Sequence, residues 1–156
     1  MTETDAATLR LQRTFDAPAE EVFDAWTSPE VLRRWWASGP AWVTPLAEVD
    51  LRVGGAYRLT MEDPREGSRH TVRGEYREVR RPVRLVYTWA WEQDDGSTGP
   101  TSTVAVEFRE EGERTTVLIE HEGLDSQQSR DRHGIGWTGC LESLEQRVFA
   151  GAAHPS

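Results

Sequence analysis

Hydrophobic and polar positions alternate singly through most of this chain, and take up a three-to-four-residue spacing after the first strand and near the end. Residues 8–15 (TLRLQRTF) alternate, predicting a strand with Leu9, Leu11 and Phe15 on one side. Pro18 suits a first helical turn, and 18–26 carries Val22 and Trp26 at helical spacing. Ser28-Pro29 then caps and starts a second helix running to Trp36. Gly39, Pro40 and Pro45 break the pattern around Trp42. Residues 47–53 and 56–61 flank Gly54-Gly55, a two-residue hairpin signal. Further strands are predicted over 70–79 (Val72, Gly74 and Tyr76 on one face), 84–91 (Leu85, Tyr87, Trp89 and Trp91), 101–109 (Val104, Val106 and Phe108) and 115–121 (Val117, Ile119 and His121).

The stretch from Asp125 to Phe149 is different. At about 100° per residue, His133, Trp137, Cys140, Leu141, Leu144 and Val148 gather in one stripe, while Thr138, Glu142, Glu145 and Gln146 point away. Asp125 with Gln128 has the spacing of a capping box, and Arg147 suits the negative end of a helix. A helix over 126–150 would run on the order of 37 Å, enough to cross a sheet. Its first half holds Gly134, Gly136 and Gly139, each costing up to ~1 kcal/mol against alanine. Glycines at that cost imply room beside the backbone, for close packing or for a cavity.

The order is therefore strand, two helices, six antiparallel strands and a long helix. Short connections favour a meander, and the long helix is the one element able to cover its inner face. A curved antiparallel sheet wrapped around a C-terminal helix is the helix-grip, α+β fold. A single domain is expected over 8–150, with residues 1–7 and 151–156 as flexible termini.

Composition narrows the partners. The chain has 156 residues, 37% hydrophobic and 29% charged, the profile of a folded globular domain. No apolar run approaches the ~20 residues of a membrane span, and MTETDAAT at the start is unlike a signal peptide. One cysteine excludes an internal disulfide and fits a reducing compartment, so the cytoplasm is the expected location. A net charge of −9 argues against nucleic acid or an anionic membrane as partner. All 18 basic residues are arginine. Seven tryptophans are the unusual feature, because aromatic side chains build cores and also line apolar pockets.

Five segments in order carry a resemblance: FDAPAEEVFDAWTSPEVLRRWW, EVDLRVGGAYRLTM, GEYREVRRPVRLVYTWAWE, TTVLIEHEGL and HGIGWTGCLESL. Together they resemble the START-like superfamily of polyketide cyclases and lipid-transfer proteins. Within it they are most similar to the branch named for homology to activators of the heat-shock-protein-90 ATPase. The match runs from about Leu9 to Phe149. The resemblance implies an apolar cavity under the C-terminal helix, used for hydrophobic small molecules and in some members for cyclisation or hydrolysis. Members that activate the chaperone carry a further large N-terminal domain, which this sequence does not contain.

The candidate ligand-binding residues are Trp35, Trp36, Tyr57, Tyr76, Tyr87, Trp89, Trp91, His121, His133, Gly136, Trp137 and Cys140. Each aromatic has an alternative as ordinary core, but as a group they exceed what a small core needs and suit a cavity wall. His121 and His133 fall at the inner face, where they would orient a ligand carbonyl or hydroxyl or serve as structural histidines. They are also the candidates for general acid–base chemistry, should a cyclase or hydrolase use the cavity. Arg58, Glu75, Glu107 and Glu120 fall on outward positions. Cys140 is read as a small packing residue, and no metal site or cofactor is expected. No G-x-S-x-G, H-E-x-x-H, paired cysteine or phosphate-binding loop occurs, and Gly54-Gly55 is a turn. The expected function is binding of a hydrophobic small molecule without chemistry. A protein-interaction module related to the co-chaperone is the further alternative, and a homodimer is left open.

Overall fold

The computed structural model describes residues 8–36, 42–124 and 126–149. Strand β1 (Leu9–Phe15) leads into helices α1 (Ala19–Thr27) and α2 (Pro29–Trp35). Six strands follow: β2 (Val43–Val49), β3 (Ala56–Asp63), β4 (Ser68–Arg80), β5 (Arg84–Trp91), β6 (Ser102–Glu111) and β7 (Arg114–Glu122). Helix α3 (Gln127–Leu144) closes the molecule and ends in a π-helical turn, Glu145–Phe149.

The seven strands form one sheet in the order β1-β7-β6-β5-β4-β3-β2, every neighbouring pair antiparallel. β2 to β7 are the expected meander, and α1 and α2 carry the chain from one edge of the sheet to the other. Register shifts interrupt β2 between Val43 and Leu46 and β4 between Tyr76 and Glu78, and such irregularities bend a strand. Beside the second bend a Cβ on Gly74 would lie 2.1 Å from the Thr88 carbonyl, so only glycine lets β5 approach there. The sheet thereby curves round α3.

Alternation decides what fills the concavity. Val72, Tyr76, Leu85, Tyr87, Trp89, Val104, Val106, Phe108, Val117, Ile119 and His121 are buried on the inner face. On the outer face Arg58 pairs with Glu92, Arg84 with Glu107 and Arg10 with Glu120. α1 presses Phe23 and Trp26 onto Phe108, with ring centroids 5.2 and 5.8 Å away.

Three local expectations are corrected. First, the strand predicted over 47–53 stops at Val49, and the connection occupies 50–55 rather than two residues. Gly54 N–H donates to the Tyr76 carbonyl and Tyr76 N–H to that of Gly55, which ties the loop to β4. A Cβ on Gly55 would meet the Asp50 carbonyl at 2.1 Å, so the turn closes on backbone contact. Second, Ser126 caps α3, its side chain accepting from Ser129 N–H at 3.0 Å. The expected cap, Asp125, lies outside the described residues, as does Ala150. Third, the helix is not α-helical to its end. The wider π turn carries the inward stripe from Leu144 five residues on to Phe149, which packs on Phe15 at 5.6 Å, and leaves Val148 only partly buried.

Candidate functional site

Between α3 and the curved sheet lies a cavity of about 560 Å³. Its walls are Trp36 and Trp42, Met61 on β3, His70 on β4, Trp89 and Trp91 on β5, Pro100 and Ser102 by the start of β6, and Gly123 and Leu124 after β7. α3 adds Ser129, Arg132, His133, Gly136, Trp137 and Cys140. Gly136 is the opening in the helix: a Cβ built there meets nothing within 4 Å. Gly134, by contrast, faces β1, where a Cβ would touch Leu9 Cδ1 at 3.4 Å. The two glycines thus serve different ends, one leaving space and the other allowing packing.

Four tryptophans meet in this wall. Trp89 lies 5.5 Å from Trp91, 5.3 Å from Trp137 and 6.4 Å from Trp36, centroid to centroid. An indole nitrogen only donates, so each one buried here needs an acceptor. Trp137 Nε1–H donates to His121 Nδ1 at 3.2 Å. In the neutral ring the proton then sits on Nε2, which donates to Ser102 Oγ at 2.7 Å, leaving the hydroxyl hydrogen for the Trp89 carbonyl at 3.3 Å. Trp91 Nε1–H donates to His133 Nε2 at 3.0 Å, so His133 carries its proton on Nδ1, which donates to the Ser129 carbonyl at 2.8 Å. The two imidazoles are therefore held in opposite tautomers. Burial, with His133 only 5.1 Å away, pushes the His121 pKa down to about 3, so this ring stays neutral at ordinary pH.

This arrangement decides what the histidines can do. A general base needs a lone pair facing its substrate, and here each lone pair accepts an indole proton. The same contacts turn the lone pairs of His121 and His133 toward different indoles, and among the described residues no three His, Cys, Asp or Glu side chains are grouped to hold a metal ion.

The model of the Activator of Hsp90 ATPase homolog 1-like protein family matches residues 16–148. The chain belongs to that family. Solved relatives agree along nearly the whole length. A family protein from Silicibacter pomeroyi is 28% identical, with a TM-score of 0.83, over 95% of this chain and all of its own. A protein from Chromobacterium violaceum is 26% identical with a TM-score of 0.81, over 91% of this chain and 97% of its own. An HSP90 activator from Plasmodium falciparum is 28% identical with a TM-score of 0.68, over 90% of this chain and 94% of its own. No protein of curated function matches.

Of the residues singled out from the sequence, Trp36, Trp89, Trp91, His133, Gly136, Trp137 and Cys140 line the cavity of this family member. Trp35, Tyr57, Tyr76, Tyr87 and His121 do not. Trp35 is fully buried against Trp26 at 5.1 Å, its Nε1–H donating to the Ala25 carbonyl at 2.8 Å. The three tyrosines sit behind Trp36 and Trp89, around a void of about 20 Å³. Tyr57 OH donates to the Thr88 carbonyl at 2.5 Å, Tyr87 OH accepts from Trp26 Nε1 at 3.3 Å, and burial raises the pKa of all three phenols. His121 stands behind the wall and braces Trp137. Reading parity alone assigns a side chain to the concave face but not to one side of an aromatic partition.

Met61, His70, Ser102, Leu124 and Arg132 are lining residues the sequence reading left out. Met61 continues the alternation of Tyr57 and Leu59, so its strand pattern carried that signal. Arg132 precedes His133 on the helix, and nothing in its spacing marks it. A groove of similar volume on the outer face is lined by Arg58, Arg73, Glu75 and Arg77, whose charges pair among themselves and with Glu92.

Proposed function

We propose that this protein binds a hydrophobic small molecule in the cavity beneath α3. The observation that carries the reading is the open space at Gly136, facing an aromatic wall whose histidines already accept indole N–H groups. Its volume falls within the ~300–1,000 Å³ of small-molecule sites, and its few polar groups sit among many apolar ones. A ligand of about twenty heavy atoms, at roughly 0.3 kcal/mol each, would bind at tens of micromolar. The test is a tryptophan-fluorescence titration against flat aromatic and fatty ligands, repeated with Gly136→Leu. Wild type should respond and the filled variant should not. Silence at millimolar concentration, or intact binding in the variant, would overturn the reading. A cyclase or hydrolase mechanism through His121 or His133 has less support, because each ring would first have to give up its tryptophan.

A second reading rests on the likeness to the Plasmodium falciparum protein described as an HSP90 activator. On that reading the chain is a chaperone-docking module and the cavity is incidental. It requires a protein partner and no small molecule, which separates the two.

A further inference from the structure

The polar groups of the cavity are one-sided. Arg132 and the exposed His70 stand among its lining residues, and among the described residues no aspartate or glutamate lines it. On α3 the adjacent Arg130 and Asp131 pair with each other at 3.1 Å. Arg132, exposed beside them, makes no ion pair with any described residue. The indole N–H groups of Trp91 and Trp137 already have acceptors in the histidines. A guanidinium at the rim of an apolar cavity that no described carboxylate lines calls for a ligand that brings acceptor oxygens.

Resting on the reading that this cavity holds an apolar ligand, we propose that the ligand is an amphipathic carboxylate. Its flat or aliphatic body lies among Trp36, Trp89, Trp91 and Trp137, and its carboxylate meets the Arg132 guanidinium at the rim. The planar fork of arginine matches a carboxylate in two parallel hydrogen bonds. The protein's net charge of −9 opposes more highly charged anions, so a single negative charge is favoured.

The matched probes are 2-naphthylacetate and its neutral amide, titrated by calorimetry into wild type and Arg132→Gln. Wild type should bind the acid about five-fold more tightly than the amide, the upper range for an exposed ion pair, and added salt should erode the difference. Arg132→Gln should bring the acid to the affinity of the amide. Indole N–H resonances of labelled protein report whether both probes reach the tryptophans. Equal binding of acid and amide by wild type would overturn the proposal while leaving the cavity reading intact, as would an undiminished preference in Arg132→Gln. If neither probe binds at millimolar concentration, the cavity reading falls and this proposal with it.

Discussion

An indole carries one polar atom, a donor, and a neutral imidazole is among the few side chains that can answer it inside an apolar wall. Trp137 with His121 and Trp91 with His133 use that match, and the price is sensitivity to acid. The unfolded His121 takes up a proton below about pH 6.5, whereas the folded one stays neutral down to about 3. Stability is therefore complete above pH 6.5 and falls by up to about 1.4 kcal/mol per unit as the pH drops through that window. Urea midpoints measured from pH 7 to pH 4 should fall, and in His121→Gln the fall should be smaller. An equal slope in both proteins would assign the acid sensitivity to other groups. The sequence placed both histidines on the inner face. It could not pair them with their tryptophans, since each pair joins a strand to α3 across a long stretch of chain and leaves no local spacing.

Helix α3 reads clearly where burial repeats and poorly where geometry departs from 3.6 residues per turn. Trp137, Cys140, Leu141 and Leu144 are buried as the stripe predicts. Leu144 is fully enclosed, so Leu144→Ala should cost about 2–5 kcal/mol in chemical unfolding. A change below roughly 0.5 kcal/mol, the scale of a surface substitution, would contradict its packing. A fixed angular step of 100° cannot show a π turn, so the stripe ends on Val148 where the structure buries Phe149. The same helix supplies a contrasting substitution. Gly136→Leu adds atoms where none are met and replaces a poor helix former, so stability should hold or rise by up to about 1 kcal/mol while the cavity is filled. Thermal unfolding of the variant beside the ligand titration separates loss of space from loss of fold. On β5 the alternation located Tyr87 and Trp89 on one face, but Trp36, arriving from α2, joins Trp89 in a partition that leaves Tyr87 behind it.

At the scale of the whole molecule, the seven-strand sheet, its meander and its closing helix were all legible, because each follows from period, connection length and the need to cover one face. The partner was not, since one fold serves unrelated functions. Purified protein added to a chaperone at equal concentration should leave its ATPase rate unchanged if the cavity is the functional site. A several-fold stimulation in a coupled assay would promote the docking reading instead. The topology also sets an order in time. Among the described residues β1 pairs with β7 alone, and Arg10 and Glu120, which pair across them, are 110 residues apart in the chain. A ribosome adding about 5–20 residues per second takes roughly 5–20 s to cover that distance. Throughout that interval β1, with Leu9 and Phe15 on its apolar side, waits for β7 to emerge.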